Sequence, residues 1–360
     1  MVIPELEPIS ELLLRPGEIF VAAGGFEERV LALPNMIHPR TDQHDKILLL
    51  EYLPPNENNK LKELRSAFLS KGYNHISIPY NRYSPETFDM PFRQDLEQLK
   101  AEAVCLDISG LSRFAIMIVL DVVRELNLPL RVVYAEASRY APSQNDFEAA
   151  KAKESQHLPT SFIHTGVYDV LNVPRLSSIR MQNRATLLIA FDSFNEALCQ
   201  ALVNVINPSR FILINGRPPR TELRWREQAT AYVHQFLRGE WSVEDDSYPI
   251  KTTSTLYYQE TYQLLSDLYW RFSANHRIIL APTGSKMQTI GAYFLRATHD
   301  DVHIVYPTVQ GFFSDKYSTG VRETWQLNFG RMGDFVEHLR QNEITERLGL
   351  PNEPVDTDID

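Results

Sequence analysis

Two short polar turns carry the residues of this chain whose types and spacing best suit chemistry. One is Thr283-Gly284-Ser285-Lys286, set between an apolar run from Arg277 to Ala281 and an amphipathic run from Met287. The other is Ser109-Gly110-Leu111-Ser112-Arg113, set between an apolar run ending at Asp107 and a second amphipathic run to Glu125. A strand that stops at such a turn and opens a helix leaves backbone N–H groups unpaired at a positive dipole end. That is a seat for a phosphate or carboxylate, and Lys286 or Arg113 would add a full charge beside it. A cation there is otherwise unfavourable with the dipole, a conflict that an anionic ligand relieves; the plainer alternative is a solvated first-turn residue.

Other strand ends add candidates. Gly24-Gly25 precedes Glu27 and Glu28, Asp192-Ser193 follows an apolar run, and Arg217 follows another at Asn215. A carboxylate closing an apolar strand, as Asp107 and Asp192 do, is costly unless paired or functional. Glu28 could accept from a ribose hydroxyl or act as a base, or simply face a helix dipole. The candidate ligand-binding set is therefore Gly24, Gly25, Glu28, Asp107, Ser109, Gly110, Ser112, Arg113, Asp192, Ser193, Arg217, Thr283, Gly284, Ser285 and Lys286. No motif of a hydrolase, zinc enzyme, P-loop or dinucleotide-binding protein is present, and the ten histidines lack metal-ligand spacing. No metal, cofactor or catalytic residue is nominated.

The elements around these turns repeat. Residues 19–30 parallel 187–198, residues 46–51 parallel 210–215, residues 103–125 parallel 276–296, and residues 130–134 parallel 302–306. Thr165-Gly-Val167 with Leu171-Asn-Val173 answers Thr319-Gly-Val321 with Leu327-Asn-Phe329. Unbroken order across both halves indicates an internal duplication. Continuous apolar strands alternating with helices predict an α/β fold, two tandem Rossmann-like lobes with mostly parallel sheets covered on both faces. The expected division is a lead-in over 1–17, lobe 1 over 18–176, a connector over 177–183, lobe 2 over 184–334, a C-terminal helix over 335–350 capped by Asp334, and a disordered acidic tail over 351–360. A helix is expected from Phe26. Residues 140–161 lack a counterpart and read as a solvated excursion or a lid. Ligands of such sheets bind outside the carboxyl ends of the strands, where the candidates collect.

Composition narrows the class. The 360 residues suit two domains, and 43% hydrophobic with 23% charged content is ordinary for a globular protein. A formal charge of −10 argues against general nucleic-acid binding while allowing a local basic cluster. The two cysteines lie in apolar runs, no signal peptide or spanning segment is evident, and a cytoplasmic, non-membrane protein is expected.

A Rossmann-like sheet with a Gly/Ser/Thr–Lys turn before its last helix resembles the CARF superfamily of cyclic-oligonucleotide sensors, whose corresponding motif is Gly-Gly-Thr-Lys where this chain has Thr283-Gly284-Ser285-Lys286. Two such units in one chain, with the ligand between them, are similar to the SAVED arrangement of bacterial anti-phage defence proteins. The second glycine is absent, and lobe 1 has Arg113 in place of lysine. Such proteins commonly carry an attached effector; here the lobes fill residues 18–334, so the resemblance implies that output comes from a partner chain or from the lobes themselves.

The expectation is a binding module rather than an enzyme: a sensor of a nucleotide-type anion acting through an effector protein or homo-oligomer. The alternatives are a nucleotide-processing hydrolase or N-glycosidase using Glu27, Glu28, Asp107 and Asp192, and a non-catalytic subunit of a larger complex.

Overall fold

The structure, a computed structural model, describes residues 3–39, 47–152, 164–235, 237, 251–313 and 317–348. The first half runs β1 (Glu7–Pro8), β2 (Glu18–Ala23), α1 (Ala32–Met36), β3 (Ile47–Leu53), α2 (Leu61–Leu69), β4 (His75–Asn81), α3 (Asp89–Gln98), β5 (Ala103–Asp107), α4 (Arg113–Glu125), β6 (Pro129–Ala135), β7 (Arg139–Tyr140), α5 (Gln144–Ala152) and β8 (His164–Asn172). The second half repeats the pattern: β9 (Ala185–Phe191), α6 (Glu196–Ile206), β10 (Arg210–Arg217), α7 (Trp225–Val233), β11 (Thr252–Ser254), α8 (Tyr258–Phe272), β12 (His276–Ala281), α9 (Lys286–Thr298), β13 (His303–Phe312), β14 (Ser318–Thr319), β15 (Thr324–Arg331) and α10 (Met332–Leu348).

The duplication is visible in strand order. Lobe 1 orders its parallel strands β4-β3-β2-β5-β6, and lobe 2 orders the equivalent ones β11-β10-β9-β12-β13. Each sheet is then completed by a strand from the other half. β15 lies antiparallel to β6, and β8 lies antiparallel to β13. The linear boundary at 177–183 thus divides the sequence, but each lobe holds the last strand of its twin. β1 extends the lead-in onto β15, and β7 pairs with β14 across the halves.

The exchange merges the two cores. In α4 every residue from Phe114 to Val123 is buried, and α9 is buried from Met287 to Leu295. Helices buried on all sides belong between layers. Both sit between the two sheets with α3, α8 and α10, in one apolar cluster that takes in Val21 and Leu106 of lobe 1 and Ile189 and Leu280 of lobe 2. The outer sheet faces are covered separately, by Leu33, Leu64 and Phe68 of α1 and α2, and by Cys199, Leu202 and Val203 of α6. Among the described residues no helix is long and apolar enough to cross a membrane.

Some expectations change. The helix expected from Phe26 is a four-residue 3-10 turn, Glu28–Leu31, leading into the five-residue α1. The last helix starts at Met332, so Asp334 is a first-turn residue; Asn127 caps it instead, its side-chain oxygen accepting from the Gly333 N–H at 2.8 Å. Within the 140–161 excursion a short helix, Gln144–Ala152, is described; the rest of the excursion from 153, like the tail at 351–360, lies outside the described residues.

Strand exchange generates a test. Residues 1–179 and 180–360 expressed apart should each fail to give a cooperative unfolding transition, because each lacks a strand and half the shared core. Co-expressed, they should purify as one folded complex; independent folding of either piece would contradict the shared-core account.

Candidate functional site

The carboxyl ends of β2 and β9 and the turns after β5 and β12 open on one cavity of about 420 Å³, lined from both lobes. The turns are built to bring backbone close to backbone. A Cβ on Gly110 would stand 2.4 Å from the Ala23 carbonyl oxygen, and one on Gly284 would stand 2.9 Å from Phe191 Cβ. Tyr52 locks the first turn, its hydroxyl donating to Gly110 O at 3.0 Å and accepting from the Ser112 N–H at 2.6 Å. Thr283 locks the second, donating its hydroxyl to Phe191 O at 2.6 Å.

Each turn opens its helix through a serine cap. Ser112 Oγ accepts from the Ala115 N–H at 3.1 Å. Ser285 Oγ accepts from the Gln288 N–H at 3.0 Å, and Gln288 Oε1 accepts in return from the Ser285 N–H at 2.8 Å, a reciprocal capping box. The N–H groups of Arg113, Phe114 and Lys286 have no partner among the described residues, and all three residues line the cavity. Two positive dipole ends therefore meet at one place.

The two cations cross the seam. Arg113 Nε donates to the Gly284 carbonyl of lobe 2. Lys286 Nζ donates to the Ile108 carbonyl of lobe 1 at 2.9 Å and to that of Ser109. Burial, with Arg29 nearby, pushes the Lys286 ammonium down to about 7, although Glu27 and Asp107 pull the other way. Asp107 is buried behind the turn, which raises its carboxyl to about 6 against the hydrogen bonds from Ser109 and the charge of Lys286. Glu27 is also buried, yet Arg29 and Lys286 outweigh that cost and hold its carboxylate below the usual range.

Of the residues nominated from sequence, Gly25, Gly110, Ser112, Arg113, Asp192, Ser193, Thr283, Gly284, Ser285 and Lys286 line the cavity. Asp192 spends one oxygen on the Gly216 N–H, at 3.0 Å. The others lie elsewhere. Gly24 packs against Leu61, Asp107 and Ser109 sit one layer behind, and Ser109 Oγ accepts from the Ala135 N–H at 2.8 Å. Glu28 is exposed and accepts from the Gly320 N–H, and Arg217 pairs with Glu260 at 2.8 Å. Of the four carboxylates considered for acid–base work, only Glu27 and Asp192 reach the cavity.

The walls contain residues that sequence reasoning passed over. Arg29 donates to Glu27, to Tyr134 OH at 2.9 Å and to Ala135 O at 3.3 Å. Arg220 of lobe 2 pairs with Glu136 of lobe 1 at 3.0 Å. Arg226 donates to the carbonyls of Tyr140, Ala141 and Pro142, at 2.9 to 3.2 Å, and lies 4.5 Å from the Phe194 ring centroid. Phe26, Tyr317 and Phe312 form an aromatic wall, with Tyr317 4.9 Å from Phe26. The one available signal was the alignment of the halves, which sets Phe26 against Phe194, both lining the cavity.

The fold and cleft define a duplicated, two-lobed α/β protein with a largely apolar cavity between its lobes that carries a cluster of charged and polar groups at the two turns. No family model matches the chain, and no curated protein does. Among solved structures it is similar to the cytoplasmic domain of a prokaryotic cation chloride cotransporter, at 9% identity over 81% of this chain and 95% of that one, with a TM-score of 0.23. That likeness is too slight to speak for shared fold or function.

The buried ammonium has a measurable consequence. Between about pH 7 and its unfolded value of roughly 10.4, the unfolded chain binds a proton at Lys286 that the folded chain has released. The stability of the wild type relative to Lys286→Met should therefore rise with pH through that window and stay level below it. Urea unfolding of both proteins at pH 6.5 and pH ~9 checks this; a difference independent of pH would contradict the placement of Lys286.

Proposed function

We propose that this protein is a cytoplasmic binding protein for a small nucleotide-type anion, held between its lobes, whose occupancy is read by a partner effector or a second copy of the chain. The observation that carries this reading is the meeting of two capped helix N-termini, each opened by a cation, on one cavity. Dipole ends and cations of like sign are mutually unfavourable there, and an anion offsets both.

The rest of the wall fits a ligand with planar parts. A volume of about 420 Å³ lies in the range of small-molecule sites. Phe26, Tyr52, Phe194 and Tyr317 offer ring faces or edges to a base, and Ser193 and Asp192 offer polar partners to a sugar. Phosphate oxygens are stronger acceptors than the carbonyls that Arg113 and Lys286 now hold, and charge-assisted bonds to them favour exchange. Arg113 uses only Nε in its contact with Gly284, and among the described residues its terminal nitrogens are left for a ligand. Within this class a cyclic oligonucleotide, the ligand implied by resemblance to CARF and SAVED proteins, is the first candidate, and anti-phage defence the setting.

Titration calorimetry against nucleotides and cyclic oligonucleotides tests the reading. Binding at pH ~8 should take up a proton, seen as heat that depends on buffer ionisation enthalpy, because an anion restores the charge of Lys286. Lys286→Ala should abolish the proton uptake and weaken binding by roughly 10- to 100-fold, the worth of a charge-assisted hydrogen bond. Arg113→Ala should weaken binding and keep the uptake. Unchanged affinity in both variants would sink the proposal.

A further inference from the structure

We propose that Glu27 is an internal counter-ion of the cleft: a tethered carboxylate that competes with the incoming anion, and whose displacement unfastens the strap at residues 317–320. The inference rests on the reading of the cleft as an anion site and says what that site must overcome.

Glu27 lines the cavity and occupies the fork of Arg29, with Oε1 to Nη2 at 2.9 Å and Oε2 to Nε at 3.1 Å. Ser318 Oγ donates to the same Oε2. Arg29 cannot follow a moving partner, because its Nη1 is held by Tyr134 OH at 2.9 Å and Ala135 O at 3.3 Å. An anion that reaches Arg29 and Lys286 therefore meets a fixed guanidinium whose fork is already filled. A phosphate oxygen can take over both the Arg29 and the Ser318 contacts with bonds of the same charge-assisted kind.

The strap is fastened at three of its four residues. Tyr317 rests against Phe26 at 4.9 Å, Ser318 donates to Glu27, and the Gly320 N–H donates to Glu28 at 2.9 Å. Its far side is paired with β7, and Ser138 Oγ donates to Thr319 O at 2.8 Å. Moving Glu27 removes the central fastening and leaves the others, a partial release rather than a loss of fold.

The duplication supplies the control. The residues of lobe 2 aligned with Glu27 and Arg29 are Asn195 and Ala197. There the asparagine oxygen accepts from the Ala197 N–H at 3.0 Å and caps α6, so the Glu27–Arg29 pair has no counterpart at these two positions. The Glu27–Arg29 pair is specific to lobe 1, where it places a carboxylate in the wall of the cleft.

Inorganic pyrophosphate is a suitable probe, with calorimetry for affinity and hydrogen exchange for the amides of residues 317–320. Glu27→Gln keeps the size and removes the charge, and should bind pyrophosphate about tenfold more tightly than wild type, since like-charge juxtaposition is costly. In wild type, saturating pyrophosphate should speed exchange at Ser318–Gly320. Ser318→Ala, which keeps the carboxylate, should show faster strap exchange without ligand and a smaller gain in affinity. Equal affinity in wild type and Glu27→Gln, or pyrophosphate that leaves strap exchange unchanged, overturns the inference. If that equality coincides with loss of binding in Lys286→Ala, the anion site stands and only the counter-ion role falls. No binding in any variant removes both.

Discussion

The crossing of Arg113 and Lys286 over the seam is the constraint around which the molecule is arranged. Each cation starts a buried helix in its own lobe and gives its hydrogen bonds to the turn of the other. A hydrogen bond from a charged donor contributes about 1.5–3 kcal/mol, and far more is lost when the charge is left buried without one. The two turns must therefore stay in register, which requires glycine at Gly110 and Gly284, serine caps at Ser112 and Ser285, and an axis running between α4 and α9. Side chains of α4 and α9 are buried on every face because each helix is packed between two sheets and against its twin.

Exchange of the final strands makes that register stable. β8 and β15 each leave the lobe that precedes them and close the sheet of the other, so the lobes cannot separate without opening both sheets. Buried charges reinforce the join. Arg175, just before the connector, reaches Asp89 at 2.9 Å and Asp121 at 3.1 Å, and Tyr293 of α9 donates to Asp121 of α4 at 3.4 Å. Removing one member of such a set strands its partner away from water, so the network makes the arrangement specific even where its net stabilisation is small.

Much of this was legible in the sequence, for physical reasons. Apolar runs of strand length, punctuated by glycine, serine and proline, fix the alternation of strands and helices, and two copies of the pattern reveal the duplication. The turns at Gly110 and Gly284 could be read because serine caps and small residues have local causes. Strand exchange was not legible, since β8 and β15 carry a pattern that suits either sheet and only long-range packing chooses. At Glu28 the structure turns the expected carboxylate outward and sets its neighbour Glu27 in the cavity wall. A helix from Phe26 treats Glu27 and Glu28 alike, but the 3-10 turn sends Glu27 inward to Arg29 and Glu28 outward to the Gly320 N–H. Tyr134 and Glu136 were invisible because the residues they meet, Arg29 and Arg220, come from distant parts of the chain.

A chain with a net charge of −10 has nonetheless gathered positive charge at the seam between its lobes. Lys286, Arg113, Arg29 and two helix dipoles point there, beside the carboxylates of Glu27 and Asp192 and, one layer behind, an Asp107 whose burial raises its carboxyl to about 6. Carbonyl oxygens satisfy the hydrogen bonds of Lys286 and Arg113 but carry no net charge with which to balance them. Burial first, and then Arg29, loosen the hold of Lys286 on its proton and bring its ammonium down to about 7. On the reading proposed above, an anion entering the cleft would restore the proton and release the carbonyls in a single event, and its competitor would be the carboxylate the chain already holds in place.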